Sequence, residues 1–150
     1  MRVLLLFALL VFTFPAVLAA ADGTYEITKT DATGAILSPT KATVTVTAKQ
    51  GWHLNHEAPF TLKLSPRAGV ETPKNKLTRA DLAVSTDTTA RFDVTLTPTA
   101  IGRQTVEAEA GFVLCQDTAC RPIKEKLALV IESTEAVKPP ATNRNPNKKP

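Results

Sequence analysis

Apolar and polar residues alternate one for one through most of this chain, and that period limits what it can fold into. Thr43-Val44-Thr45-Val46-Thr47 puts both valines on one side of an extended backbone, because successive side chains of a strand point to opposite faces. Phe60, Leu62 and Leu64 alternate with Thr61 and Lys63, and Phe92, Val94 and Leu96 with Arg91, Asp93, Thr95 and Thr97. Val106, Ala108 and Ala110 oppose Thr105, Glu107 and Glu109, and a last run over 125–132 sets Leu127, Leu129 and Ile131 against Ala128 and Val130. Between the runs stand residues that break ladders or favour turns: Asp31-Ala-Thr-Gly34, Ser38-Pro39, Ala58-Pro59, Ser65-Pro-Arg-Ala-Gly69, Thr72-Pro73, Thr97-Pro98 and Ile101-Gly102. Short strands at this spacing, with helical character only in a turn near 77–82, predict an all-β, immunoglobulin-like antiparallel β-sandwich. The segment 71–89 fits least well. It carries Lys74, Lys76 and Arg79 with few apolar positions, and it reads as a long loop.

Both ends of the chain differ from this pattern. Met1-Arg2, an apolar run over 3–18 and then Ala19-Ala20-Ala21 have the order of a secretory signal, so residues 1–21 are expected to be removed on export. Pro15 interrupts the run, which is shorter than the ~20 residues that a membrane span needs. At the other end, residues 138–150 hold four prolines, three asparagines and four cations without one large apolar side chain. Such a segment buries too little surface to offset its ordering entropy, and a disordered tail is expected there. Residues 22–137 remain as one domain with a modest core.

Charge divides along the same boundaries. Residues 22–137 carry 13 Lys and Arg against 14 Asp and Glu, so the formal +4 of the whole chain comes from its ends. A nucleic-acid platform needs a basic face on the folded part. None is visible, and no nucleic-acid partner is expected. No later segment is apolar enough to span a bilayer, which leaves an exported protein, periplasmic or secreted, in a compartment where disulfides persist.

The two cysteines, Cys115 and Cys120, lie in Gly111-Phe-Val-Leu-Cys-Gln-Asp-Thr-Ala-Cys-Arg-Pro122. Four residues separate them, too many for a thioredoxin-type C-x-x-C, and there is no second pair to complete a zinc ribbon. The spacing permits one disulfide across a tight loop. Closing so short a loop restricts the unfolded chain by only about 2 kcal/mol, against about 4 to 5 for a loop of about a hundred residues. That makes it a weak staple, yet most cysteine pairs of exported proteins are structural, so a passive bridge and a redox pair both stand. Continuing the alternation through Phe112 and Leu114 points Cys115 away from the core, at the sandwich rim, unless a bulge at Gly111 inverts the faces. Of the neighbours, Arg121 favours a thiolate at Cys120 and Asp117 opposes one. Pro122 withholds a ladder donor just beyond Cys120.

Other residues suggest less. His53 and His56 are three apart and would face opposite sides of a strand, so they do not converge on a metal unless the chain turns. An oxidised cysteine pair offers no thiolates, and neither a metal nor a cofactor is expected. Glu107 and Glu109 share a strand face and read as a solvated face rather than a glycosidase dyad. Trp52, the single tryptophan, reads as a core anchor.

Gly51-Trp-His-Leu-Asn-His56, followed some sixty residues later by Phe112-Val-Leu-Cys-Gln-Asp-Thr-Ala-Cys-Arg-Pro122 and a closing strand, resembles the amino-terminal periplasmic domain of the DsbD thiol:disulfide interchange reductase, the disulfide-bond corrector domain family. The likeness covers most of residues 36–132. It implies an immunoglobulin-like sandwich whose cysteines, here Cys115 and Cys120, accept electrons from a thioredoxin-like domain of a membrane-embedded reductase and pass them on. Members of that family are commonly fused to a multi-span membrane domain and a thioredoxin-like domain, and this sequence shows neither. The expectation here is therefore a stand-alone exported exchange domain with its thioredoxin-like or membrane partner in trans. The aromatic cap loop of better-known members has no counterpart, since no Phe, Tyr or Trp lies between Phe60 and Phe92. A shield over the bond would have to use Leu77, Leu82 or a proline. The alternative is a structural or interaction sandwich with a passive bridge.

Overall fold

The computed structural model describes residues 17–19 and 23–136; the cleavage point expected near Ala21 and the tail 138–150 lie outside the described residues. In chain order the strands are β1 (Val17–Ala19), β2 (Tyr25–Thr30), β3 (Ala32–Ala35), β4 (Thr40–Ala48), β5 (His53–Leu54), β6 (Thr61–Ser65), β7 (Val70–Glu71), β8 (Lys76–Thr78), β9 (Leu82–Ser85), β10 (Thr89–Pro98), β11 (Gly102–Cys115) and β12 (Cys120–Thr134), with a 3-10 turn at Arg79–Asp81. They form two sheets. The first runs β1-β2-β4-β10, with β9 and β7 along the far edge of β10. The second runs β3-β12-β11-β6-β8, with β5 and β6 at successive positions along one edge of β11.

Every pairing is antiparallel except that of β3, which runs parallel to the end of β12. Strands β2-β4-β10-β9 thus occupy the A-B-E-D positions and β6-β11-β12 the C-F-G positions of an immunoglobulin-like sandwich. The inter-sheet disulfide of antibody domains has no equivalent here. The bond lies instead within the β11–β12 hairpin, the F–G position.

The alternation sets which face is inward. Ala42, Val44 and Val46 of β4, Phe92, Val94 and Leu96 of β10, Val106, Ala110, Phe112 and Leu114 of β11 and Leu129 and Ile131 of β12 are all buried. Each large side chain so removed from water contributes about 1.5 to 3 kcal/mol. At one end the core is aromatic: Phe112 stacks on Phe60 at 5.5 Å between ring centroids and meets Tyr25 edge-on at 5.3 Å, while Phe60 tilts against Phe92 at 5.6 Å. These contacts add about 0.5 to 1.5 kcal/mol each beyond area burial.

Several expectations need correction. The stretch 31–34, read as a turn, is mostly β3, because Ala32 is buried and the backbone finds the free edge of β12 at Ile131–Thr134. The stretch 71–89 is not a long loop: β8 pairs with β6, β9 with β10, and the 3-10 turn joins them where a single helical turn is expected. Leu77 anchors β8 in the core, but two- to four-residue strands are too short to show a period. The closing strand begins at Cys120, five residues before the alternation becomes visible. Gly111 makes no bulge, since β11 and β12 pair without a break from Gly102↔Ser133 to Cys115↔Cys120. A Cβ at Gly111 would stand 3.0 Å from Thr61 Oγ1, so glycine is what lets β6 approach here.

Candidate functional site

Cys115 and Cys120 end the longest ladder of the molecule. They are directly opposed across the hairpin, their Cα atoms 4.0 Å apart, and joined by a disulfide. Beyond them the chain reverses through residues 116–119, with Gln116 N–H donating to the Ala119 carbonyl at 2.8 Å. The turn residues Gln116, Asp117, Thr118 and Ala119 are all exposed, as a hairpin tip should be.

The two sulfur-bearing residues sit in different surroundings. Because no bulge intervenes, Cys115 does point to the outer face of its sheet, as the parity argument requires, and it sits at the rim. Yet it is only 4 % exposed, whereas Cys120 is open to solvent. The cover over Cys115 is neither Leu77, which is in the core, nor Leu82, which lies in β9 of the other sheet. It comes from the strand that pairs beyond β6: β5 sets Leu54 opposite Leu114 and His53 opposite Cys115, and Asn55 N–H continues the ladder to the Val113 carbonyl at 2.9 Å. His53, Cys115 and Cys120 therefore form a row across three strands on one face, and Asn55, two residues past His53, shares that face.

Asn55 closes over the sulfur. Its Oδ1 accepts from the N–H of Glu57 at 2.8 Å and of Ala58 at 3.1 Å, an Asx turn. Its Nδ2 donates to Cys115 Sγ at 3.5 Å. The turn is clamped in place, because the Arg79 guanidinium donates to the carbonyl of Asn55 at 2.7 Å and to that of Ala58, and lies 3.5 Å from His56 Nδ1. His56 Nε2 in turn meets Asp87 Oδ1 at 3.0 Å. Arg79 is presented by the 3-10 turn, whose N-cap is Thr78 and whose last residue, Asp81, accepts from the Thr78 N–H at 2.9 Å. A hydrogen bond from Lys74, then one from Thr78 N–H, hold the Asp81 carboxyl below the usual carboxylate range.

Arg121 is placed differently from expectation. Alternation turns it to the opposite face from Cys120, where its guanidinium lies 5.1 Å from the Trp52 ring centroid and donates to Thr24 Oγ1 at 2.6 Å. It ties the two sheets together at this end rather than assisting an anion at Cys120. Trp52 packs half-buried against the core, as an anchor should. Asp117 stays in the exposed turn and Pro122 stands opposite Val113 in the ladder. The two histidines do not converge: His53 lies in β5 and His56 turns toward Asp87. Glu107 and Glu109 border an open groove of about 750 Å³ across the middle of the second sheet, paired with Arg67 at 2.5 Å and Lys63 at 3.9 Å.

What the arrangement offers chemically is one accessible sulfur, one covered sulfur with a hydrogen-bond donor on it, and an exposed imidazole beside the pair. As a staple the bond does little. Its ends are five residues apart and already held in register by the ladder. The Cys115→Ala/Cys120→Ala double variant should therefore fold as the same sandwich, with chemical denaturation showing a loss of about 2 kcal/mol or less. Loss of cooperative unfolding would mean that the hairpin depends on the bond.

The described chain is thus an immunoglobulin-like β-sandwich with a single disulfide at one hairpin tip. No protein-family model matches the chain, and neither does any curated protein sequence. Among solved structures it is similar to AggA, the major subunit of aggregative adherence fimbriae type I from Escherichia coli, at 13% identity and a TM-score of 0.40 over 83% of this chain and 98% of that one. So low a score carries no argument about function.

Proposed function

We propose that this chain is an exported thiol-disulfide exchange domain of the disulfide-bond corrector kind that its cysteine segment resembles, working with a thioredoxin-like or membrane-bound thiol-disulfide reductase in trans. The observation that carries this reading is the placement of the bond: it closes a loop that the ladder already closes, at an exposed tip, with one sulfur open and the other covered. A partner thiolate attacks Cys120 Sγ along the S–S axis. A mixed disulfide to Cys120 forms, and the electron pair of the broken bond leaves on Cys115 Sγ as a thiolate. A second thiol of the partner then displaces Cys120, so two electrons and two protons pass to the pair and the partner is left oxidised. No helix among the described residues is long and apolar enough to cross a membrane.

The pair is expected to be reduced at a potential less negative than about −300 mV, measured by equilibration with dithiothreitol and with reduced thioredoxin. A bond that stays oxidised against both leaves the second reading, an interaction sandwich with a passive bridge. That reading is supported by the sandwich itself, whose two sheets close over one continuous apolar core that does not include the bond.

A further inference from the structure

We infer that Asn55 is the residue that stabilises the departing Cys115 thiolate, by donating an Nδ2 hydrogen bond to its Sγ; this rests on the exchange reading of the Cys115–Cys120 pair. Exchange at Cys120 puts a full negative charge on Cys115 Sγ, a sulfur shielded from water. A buried anion without a partner is costly, so a donor aimed at it before the charge forms lowers that cost and speeds the step. Among the described residues, the side-chain hydrogen bond to this sulfur comes from Asn55, at 3.5 Å.

The orientation of that amide follows from its partners. Two backbone N–H groups, of Glu57 and Ala58, point at one terminal atom of Asn55, which must then be the carbonyl oxygen. The other terminal atom is the NH₂ group, and it faces Cys115. Arg79 holds the turn from beneath through the carbonyls of Asn55 and Ala58, so the donor does not have to be ordered when the sulfur becomes charged. The turn reaches the sulfur because β5 and β6 share the β11 edge and the connection between them crosses beside Val113.

In the exchange step the partner thiolate supplies the electron pair of the new S–S bond at Cys120. The pair from the broken bond stays on Cys115, and Nδ2–H lies against it until solvent supplies a proton. Asn55 transfers no proton and changes no bond of its own. Its role is electrostatic, and it should be visible in the acidity of Cys115 whether or not any partner is present.

The Cys120→Ala protein isolates Cys115 as a single thiol, whose titration is followed by ultraviolet thiolate absorbance. On that background Asn55→Ser keeps a short hydroxyl that can accept from Glu57 N–H but cannot reach the sulfur, and it should lower the thiolate fraction near neutral pH about three- to tenfold. Asn55→Asp keeps both acceptors and faces the sulfur with a carboxylate, and it should lower that fraction more than tenfold. With both cysteines present, each substitution should slow reduction by dithiothreitol in the same order. Backbone amide signals of Glu57 and Ala58 report whether the turn is kept. If Asn55→Ser retains those signals and leaves the titration of Cys115 unchanged, Asn55 only caps the turn and the inference is overturned. If the titration shifts as expected but the native bond withstands reduced thioredoxin, the hydrogen-bond assignment is supported and the exchange reading alone is lost.

Discussion

The Cys115→Ala protein should form a mixed disulfide with a thioredoxin-like partner at least about tenfold faster than the Cys120→Ala protein. The partner to use carries a single active-site thiol activated as an aryl disulfide, so that attack expels an aryl thiolate whose absorbance gives the rate. In Cys115→Ala the remaining sulfur is Cys120, exposed on the hairpin tip. In Cys120→Ala it is Cys115, only 4 % exposed beneath the Asn55 turn. Glutathione activated in the same way supplies the comparison. A small reagent should show a smaller difference, because it can reach a recessed sulfur that a protein surface cannot. Equal rates for the two variants with the protein partner would mean that the cover over Cys115 opens freely, and the asymmetry argued for the site would be gone.

Phe112→Ala should cost about 3 to 5 kcal/mol of stability, read from urea denaturation of the variant against the parent. Phe112 is 2% exposed and lies between Tyr25 and Phe60, so its removal leaves a cavity bordered by both sheets. It stands three residues before Cys115 on β11. Loosening of this end should therefore also raise the reactivity of Cys115 toward small thiol reagents. A loss below about 1 kcal/mol would show that Tyr25 and Phe60 collapse into the space. The cysteine double variant, by contrast, keeps this core intact, which is why its expected loss is smaller.

Much of the sandwich was legible because its large strands carry one buried face. Over 42–48 in β4, 90–98 in β10 and 106–114 in β11 every second residue is apolar, and burial in the structure follows that alternation. A period of two leaves little room for another assignment. The same alternation, carried past Gly111, puts Cys115 on the outer face, and the unbroken ladder agrees. It also sends Arg121 away from Cys120, a consequence of strand geometry that adjacency in the chain conceals. The pieces at 71–89 were not legible, since a strand of two to four residues samples one or two periods at most. They become strands because β6 and β10 each have a free edge whose backbone groups need partners.

By itself the sequence determined the class of fold, the faces of the long strands and the place of the cysteine pair near a tight reversal. These are local properties: the side-chain period and the turn residues act over a few positions and need no knowledge of the rest of the chain. Only the tertiary structure decided that Asn55, sixty residues before Cys115, lies on its sulfur, and that His53 stands beside it in the same row. That depends on β5 and β6 dividing one edge of β11 between them, a choice of partner and register made by burying Leu54, Phe60, Leu62 and Leu114 together. Such pairing is set by shape and burial summed over the whole core, and the spacing of residues along the chain does not encode it.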